Sequence, residues 1–181
     1  MKNKRVEIVL GVTGSIAAYK AAELTRLMIK AGWGVSVVMT ESATKFVAPL
    51  TFQTLSQRQV TTSAFTSIET WMPDHISLAD LADVLVIAPC TANMLAKLAC
   101  GLSDDALSAT ALACRAQKVI APAMNDGMWE HAATRANMSV LRERGAHFVE
   151  VASGDLACGR VGQGRMAEVA DVFSAIEAFV K

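Results

Sequence analysis

The fold is decided by the stretch VEIVLGVTGSIAAYK, residues 6–20. Residues 6–12 are a nearly continuous run of apolar side chains, which is typical of a strand buried on both faces of a parallel sheet. A turn with Gly14 follows, and a helical pattern then covers residues 15–32, from the candidate cap Ser15 to Gly32. A buried strand that leads through a short turn into a helix predicts the start of a parallel α/β unit.

The same alternation of strand and helix patterns continues along the chain. Further strand patterns are VSVVMT (35–40), DVLVIAP (83–89), KVIAPAM (118–124) and HFVEV (147–151), and the prolines at 89 and 122 are expected to end their strands. Helical patterns cover 91–101, 125–145 and 168–180. Residues 57–76 are less regular and are expected to form a strand and then an exposed excursion. The sequence therefore predicts an α/β fold with a doubly wound parallel sheet, whose ligands bind at the carboxyl ends of the strands.

Composition narrows the range of partners. The 181 residues suit one domain, and the 17 basic and 17 acidic residues balance, which argues against nucleic acid or an anionic membrane as the main partner. No apolar run approaches the ~18 residues of a membrane span. No signal peptide is expected, and the four cysteines lack zinc-type spacing, so a reducing cytoplasm is the expected location. Hydrophobic residues make up 52% of the chain, and a subunit interface would bury the surplus.

Two strand ends carry groups suited to a phosphate. The loop GVTGSIA (11–17) leads into a helix N-terminus, which can bind an anion, and the alternative is a plain strand-to-helix turn. After the second strand, Thr40 and Ser42 are either phosphate or ribityl partners or a cap for the next helix. The acid Glu41 lies 27 positions after Gly14, whereas a dinucleotide site places one about 20 residues on. A mononucleotide therefore fits better than NAD.

The next two strand ends offer further polar groups to the same crevice. Thr91 and Asn93 present a hydroxyl and an amide, and Asn125 presents a second amide beside the polarisable Met124. The alternative is that Thr91 and Asn125 only cap the helices that follow them. His75, in the irregular segment, is a candidate for acid–base chemistry only through its neighbours, because a lone histidine is more often structural.

The segment SGDLACGRVGQGRM, residues 153–166, is unusual for its thiol. Cys158 stands among four glycines, although cysteine is usually a small buried hydrophobe and glycine-rich segments build cores poorly. We expect this segment to be a mobile flap.

Four ordered segments carry a resemblance to a known family: GVTGSIAAYK (11–20), DHI (74–76), APAMN (121–125) and ACGRVGQGRM (157–166). Together they resemble the homo-oligomeric flavin-containing cysteine decarboxylases, over essentially the whole chain. The last segment is similar to the substrate flap of phosphopantothenoylcysteine decarboxylases, which act in coenzyme A biosynthesis and in bacteria are often fused to a phosphopantothenoylcysteine synthetase. The chain resembles a stand-alone decarboxylase or an excised domain.

The resemblance implies a single FMN-binding domain over residues 1–181, with a flavodoxin-like or Rossmann-like three-layer α/β/α fold. It also implies a homotrimer or homododecamer, the substrate 4'-phosphopantothenoylcysteine, and a synthetase as a possible separate partner. The residues that match the family's flavin contacts are Gly14, Ser15, Ile16, Thr40, Ser42, Thr91, Ala92, Asn93, Met94 and Ala123. The segment CTANM (90–94) departs from the family's SANT-like motif, because Met94 has no hydroxyl to offer.

The resemblance also implies roles in the reaction. His75 matches the active-site histidine, which acts as a base or orients the substrate thiol. Asn125 matches the residue that holds the substrate carboxylate, and Cys158 matches the cysteine that donates a proton late in the reaction. Further substrate contacts are implied for Met124, Arg165 and Met166.

Three other readings compete with this one. An oxidative decarboxylase of C-terminal peptidyl cysteine would share the flavin loops, His75 and Asn125, but would not need the ACGxxGxGRM pattern. A flavin prenyltransferase would lack the asparagine of PAMN and the flap. A non-catalytic flavoprotein-like regulator would be free to lose His75, Asn125 or Cys158, and all three are present.

Overall fold

A computed structural model describes residues 5–63, 73–155, 159 and 161–180. This part of the chain contains a five-stranded sheet with the order β2-β1-β3-β4-β5, in which all neighbouring strands are parallel. The strands are β1 (Glu7–Val12), β2 (Gly34–Met39), β3 (Val84–Cys90), β4 (Gln117–Pro122) and β5 (His147–Phe148). The predicted doubly wound parallel sheet is confirmed, with the flavodoxin-type strand order.

Helices cover both faces of this sheet. They are α1 (Ala18–Lys30), α2 (Glu41–Thr44), α3 (Pro49–Ser56), α4 (Asp74–Leu81), α5 (Ala92–Cys100), α6 (Ala106–Ala113), α7 (Asp126–Glu130), α8 (Ala132–Glu143) and α9 (Val169–Glu177). Successive residues of β1 enter different cores: Leu10 packs with the core that includes Leu24 of α1, whereas Val9 packs with the core that includes Leu95 of α5. The strands are thus buried on both faces, which produces three layers.

A separate antiparallel hairpin follows the main sheet. Its strands are β6 (Ala152–Asp155) and β7 (Val161–Arg165). The predicted flap is therefore a paired hairpin in the part that the structure describes. Residues 156–158 and 160 lie outside that part.

Several local predictions were wrong. Helix α1 begins at Ala18, because the Ser15 hydroxyl accepts a hydrogen bond from the Ala17 amide at 3.2 Å within the preceding turn. Pro89 does not end its strand, since β3 continues to Cys90 with a shift in its pairing to β4. The prediction for Pro122 is confirmed, because it is the last residue of β4.

The remaining differences concern boundaries. The helix expected over 125–145 is divided at His131, whose Nδ1 atom accepts a hydrogen bond from the Ala133 amide at 3.1 Å. Strand β5 has two residues rather than five. In the 57–76 segment Thr61 forms a single bridge to Val38, and α4 begins at Asp74. Helices α3, α4 and α6 were not predicted, because they lack a clear amphipathic repeat.

Candidate functional site

Thr13 joins the first loop of the carboxyl edge to the third. This residue follows β1 and its side chain is buried. Its hydroxyl donates to the Pro89 carbonyl at 2.8 Å and accepts from the Thr91 amide at 3.0 Å. The hydroxyl is therefore engaged in holding two loops together, and any phosphate contact of the first loop would have to come from the residues after it.

The first and second loops are in direct contact at Gly14. A Cβ atom on this residue would lie 2.5 Å from the Ser42 Cβ and 3.1 Å from the Ser42 carbonyl carbon. Only glycine allows this approach. The contact brings together two of the predicted cofactor segments, with Ser15 half-buried and the Ile16 side chain 59% exposed beside them.

The hydroxyls at positions 40 and 91 cap helices. The Thr40 side chain accepts a hydrogen bond from the Ala43 amide, and the Thr91 side chain accepts one from the Met94 amide. The capping interpretation is thus confirmed for both threonines. A cap satisfies one amide of a helix N-terminus and leaves the first amides of the helix available to an anion, so it does not oppose ligand binding.

Met94, which replaces the hydroxyl residue of the family's SANT-like motif, is a core residue in the structure. The Met94 side chain is only 1% exposed and packs in the core formed with α5, α6 and α8. Any contact of this residue with a ligand would therefore have to come from its backbone. Ala92 is half-buried and Asn93 is exposed at the start of α5.

The fourth loop carries the predicted carboxylate-binding amide. The Ala123 amide donates to the Cys90 carbonyl at 3.0 Å, which ties this loop to the third. The Asn125 Oδ1 atom accepts a hydrogen bond from the Gly127 amide at 2.9 Å and caps α7, as one of the two interpretations expected. Complete burial raises the pKa of the Cys90 thiol, so this cysteine stays protonated.

The hairpin lies directly on the fourth loop. The Met124 amide donates to the Gly164 carbonyl at 2.9 Å. Gly164 has a φ of +122°, and a Cβ atom there would collide with the Met124 carbonyl oxygen. A Cβ on Gly162 would lie 3.0 Å from the Asp126 Cβ. The glycines of the flap motif thus permit close docking against the loop that carries Asn125.

The flap residues predicted to contact substrate have partners within the protein. Arg165 donates to a carboxylate oxygen of Glu168 at 2.7 Å. The Met166 side chain is 1% exposed and belongs to the core beneath α1 and α9, and its carbonyl accepts a hydrogen bond from Lys20. Their substrate contacts remain predictions, as does the role of Cys158, which lies outside the described residues.

His75 is the second residue of α4. This helix ends beside the amino edge of the sheet, where the Asp83 amide donates to the Glu7 carbonyl. Its first residue, Asp74, lines a cavity with Thr61, which bridges Val38 near the carboxyl end of β2. The first residues of α4 therefore lie toward the carboxyl edge. Within the described residues, the His75 Nδ1 and Asp126 Oδ1 atoms are buried without a hydrogen-bond partner. Buried unpaired polar atoms are rare in proteins and often await a ligand or water.

Sequence reasoning did not single out Asp126 or Lys20. Asp126 directly follows the PAMN segment, and its position there was the available signal. Lys20 is a lysine on the apolar face of α1, in register with the buried Leu24 and Met28, and that pattern was also readable.

Neither a metal centre nor a membrane span is found in the described ranges. No group of three or more His, Cys, Asp or Glu residues there could hold a metal ion. No helix within those ranges is long and apolar enough to cross a bilayer.

The fold and the site together define a class of protein. A parallel sheet with this strand order and with helix N-termini at one edge is typical of mononucleotide-binding α/β proteins. The family model described as Flavoprotein matches residues 1–181, and the chain belongs to this family.

Two curated relatives illustrate the similarity. The chain is 47% identical over 177 residues to the coenzyme A biosynthesis bifunctional protein CoaBC of Bacillus subtilis (strain 168), with 98% of this chain and 43% of that protein covered. It is 40% identical over 173 residues to the "Probable phosphopantothenoylcysteine decarboxylase" of Streptococcus mutans, with 94% and 97% covered. The chain thus spans less than half the length of the bifunctional relatives.

Solved structures agree with this picture. A cysteine-to-serine variant of PPC decarboxylase complexed with pantothenoylaminoethenethiol superposes with a TM-score of 0.87 at 32% identity, covering 98% of this chain and 99% of that chain. The FMN binding protein AtHal3 gives a TM-score of 0.82 at 33% identity, with 97% of both chains covered.

Proposed function

We propose that this protein catalyses the FMN-dependent decarboxylation of 4'-phosphopantothenoylcysteine to 4'-phosphopantetheine in coenzyme A biosynthesis. One observation carries the proposal: the glycine-rich hairpin docks on the loop of Asn125 through the hydrogen bond between Met124 and Gly164, at 2.9 Å. A carboxylate-binding amide and a closing segment are therefore combined at a mononucleotide edge. The relative named a probable phosphopantothenoylcysteine decarboxylase and the solved PPC decarboxylase support this activity, and the bifunctional CoaBC relatives support a place in coenzyme A biosynthesis.

The residues at the carboxyl edge fit FMN. The contact between Gly14 and Ser42 holds the first loop against the second. We assign the cradle of the FMN phosphate to these two loops and to the N-termini of α1 and α5, whose amides would be the donors. The backbone of Ala123 lies at the same edge and is suited to contact the flavin ring. Bound at this edge, FMN would supply two-electron redox chemistry, by which the CH–SH unit of the substrate would be oxidised and the electrons returned after CO₂ has left.

His75 and Asn125 act on the substrate before CO₂ is lost. The buried Nδ1 atom of His75 lacks a partner in the described part of the chain, so it is suited to accept the thiol proton or to orient the thiol. Oxidation of the substrate gives a thioaldehyde. Its C=S group lies β to the carboxylate, so CO₂ leaves readily and an enethiol remains. The amide nitrogen of Asn125 carries the donors that would orient the carboxylate.

Cys158 completes the reaction. The enethiol must receive a hydride on one carbon and a proton on the other. A thiol near its reference pKa of about 8.5 is mostly protonated at neutral pH and can donate that proton. The hairpin that leads to it would exclude water from the reactive intermediate. Arg165 and Met166 end this hairpin and are assigned as substrate contacts in the closed form.

The assembly is part of the same proposal. We assign a homotrimer or homododecamer, and four large exposed apolar side chains around the first two loops support an interface there: Ile16, Tyr19, Phe46 and Leu50. The bifunctional CoaBC relatives support a phosphopantothenoylcysteine synthetase as the functional partner. The location assigned is the cytoplasm. Light scattering of the FMN-loaded protein tests the assembly.

The decisive experiment is product analysis by mass. FMN-loaded protein is incubated separately with 4'-phosphopantothenoylcysteine and with a peptide that ends in cysteine. We expect CO₂ and 4'-phosphopantetheine from the first substrate, without net flavin reduction. If only the peptide reacts, the protein is an oxidative peptidyl-cysteine decarboxylase. If neither substrate reacts, the favoured function is that of a non-catalytic flavoprotein-like regulator.

A Cys158→Ser variant tests the final proton transfer. It is expected to release CO₂ and to accumulate the enethiol, because oxidation and decarboxylation do not need the thiol. The matched control is Cys100→Ser, since Cys100 is exposed on α5 and has no assigned role. Full conversion to 4'-phosphopantetheine by Cys158→Ser would remove the thiol from the mechanism.

A further inference from the structure

Lys20 occupies an unusual position for a lysine. It lies in the first turn of α1, and its side chain is only 7% exposed. A cation in the first turn of a helix opposes the helix dipole, and a buried charge is costly unless it is paired. Its retention there therefore requires acceptors that compensate both effects.

The acceptors belong to the three residues that directly follow strand β7 of the hairpin. The Lys20 ammonium donates to the Met166 carbonyl at 3.3 Å and the Ala167 carbonyl at 3.4 Å. It also pairs with a carboxylate oxygen of Glu168 at 3.1 Å, and the other carboxylate oxygen accepts from Arg165 at 2.7 Å. The ion pair lowers the pKa of Glu168 below its ordinary range. One side chain thus binds three consecutive residues that are 146 to 148 positions away.

This contact closes a ring around the carboxyl edge. Thr13 links the first loop to the third, Cys90 and Ala123 link the third to the fourth, and Met124 links the fourth to Gly164 of the hairpin. The hairpin then returns to α1 through Lys20. Among the described residues, the Lys20 ammonium makes the hydrogen bonds that join α1 to residues 161–168, so without it the hydrogen bonds that hold this segment are those to the fourth loop and to β6.

We propose that Lys20 is a positioning residue of the reaction, which fixes the base of the hairpin relative to the first loop. The inference rests on the proposed decarboxylase function. Because the hairpin carries the proton donor, loosening its base affects the last proton transfer more than the steps that release CO₂. Lys20 does not contact the reacting atoms in this role.

The experiment compares three variants in the FMN-loaded protein. Lys20→Met keeps the length and removes the charge, and Lys20→Arg keeps the charge. Lys30→Met is the matched control, because Lys30 is an exposed residue in the last turn of the same helix. For each variant we measure flavin content, melting temperature, amide hydrogen exchange of residues 161–168, and the ratio of enethiol to 4'-phosphopantetheine.

For Lys20→Met we expect at least tenfold faster exchange over 161–168 and at least a tenfold higher fraction of turnovers that stop at the enethiol. Lys20→Arg should recover most of both, and Lys30→Met should match the parent protein. A purely structural role would lower the melting temperature and the total activity together and leave the product ratio unchanged. An unchanged ratio or unchanged exchange in Lys20→Met overturns the proposal.

Two further readouts keep the test decisive. If Lys20→Met does not fold, Glu168→Gln replaces it, because this substitution removes the ion pair from its exposed side. The same two quantities are measured, the ratio of enethiol to 4'-phosphopantetheine and the hydrogen exchange over 161–168. If either is unchanged in Glu168→Gln, the proposal is overturned. If the parent protein forms no 4'-phosphopantetheine, the proposed function fails, whereas exchange over 161–168 still decides whether Lys20 fixes the hairpin.

Discussion

The substitution Gly164→Ala addresses the docking of the hairpin directly. Gly164 has a left-handed φ of +122°, and a Cβ there would collide with the carbonyl oxygen of Met124. The atom it meets belongs to the backbone, so no side-chain rotation can relieve the contact. The hairpin must therefore move away from the fourth loop, and the hydrogen bond from the Met124 amide to the Gly164 carbonyl is lost.

The loss in stability of the docked hairpin has two contributions, the backbone strain at position 164 and the lost hydrogen bond. A non-glycine residue held in a sparsely populated backbone region costs about 1–3 kcal/mol. A lost hydrogen bond costs about 0.5–1.5 kcal/mol. Together they destabilise the docked hairpin by roughly 1.5–4.5 kcal/mol, which corresponds to roughly a 10- to 1,600-fold decrease in the equilibrium constant for docking. The substitution does not touch the first, second or third loop, which carry most of the residues assigned to FMN, so we expect the flavin content to be retained.

The assay is steady-state turnover of 4'-phosphopantothenoylcysteine at equal flavin content. We expect kcat/KM for Gly164→Ala to fall at least about tenfold. Gly145→Ala is the control for backbone strain alone, since Gly145 has a φ of +87° and open space around its Cβ position, beyond the end of α8. That control should lose about 1 kcal/mol of stability and keep its activity. A Gly164→Ala protein within threefold of the parent would refute the docking argument.

Three other predictions concern the cofactor, the substrate and pH. Gly14→Ala should purify with less than about a tenth of the parent's flavin absorbance, because its Cβ would lie 2.5 Å from that of Ser42, and normal flavin content would contradict the cradle. Asn125→Asp keeps the oxygen that caps α7 but places a negative charge beside the substrate carboxylate. We expect kcat/KM to fall by roughly 10- to 100-fold and the melting temperature to stay unchanged. An unchanged kcat/KM would exclude the role assigned to Asn125. The pKa of Glu168 is lowered mainly by its hydrogen bond with Lys20, so the stabilisation is present above the ordinary value of 4.5 and is lost as the pH falls through the lowered value. Hydrogen exchange over 161–168 should therefore accelerate in acid relative to its intrinsic rate, and Glu168→Gln should remove this dependence; the same acid acceleration in the variant would assign it to another group.

Much of the fold could be read from the chain. The apolar runs at 6–12, 35–40, 83–89 and 118–124 identify four strands of a parallel sheet, because strands buried on both faces need apolar residues at every position. The binding edge follows, since parallel strands end at one side. Glycines and capping residues after those strands also predicted where the loops turn.

Part of the site could be predicted for the same reason. Thr40, Thr91 and Asn125 act on amides two or three residues away, and such local interactions are encoded in the adjacent sequence. The pairing of the flap into a hairpin was not predicted. Its glycines signalled freedom of the backbone, whereas the paired strand depends on a partner across the turn.

The tertiary structure alone decided which distant groups meet. Lys20 reads as one more residue of a helix until Glu168 is brought beside it, and Gly164 reads as a flexible position until the Met124 carbonyl fills the space of its missing side chain. Pro89 remains within β3 because the ladder shifts beside it, which no local pattern encodes. The sequence by itself determined the strands, the helices of strong periodicity and the edge that binds the ligand. Packing determined how the hairpin is held there, because a contact between residues far apart in the chain depends on the relative placement of whole elements.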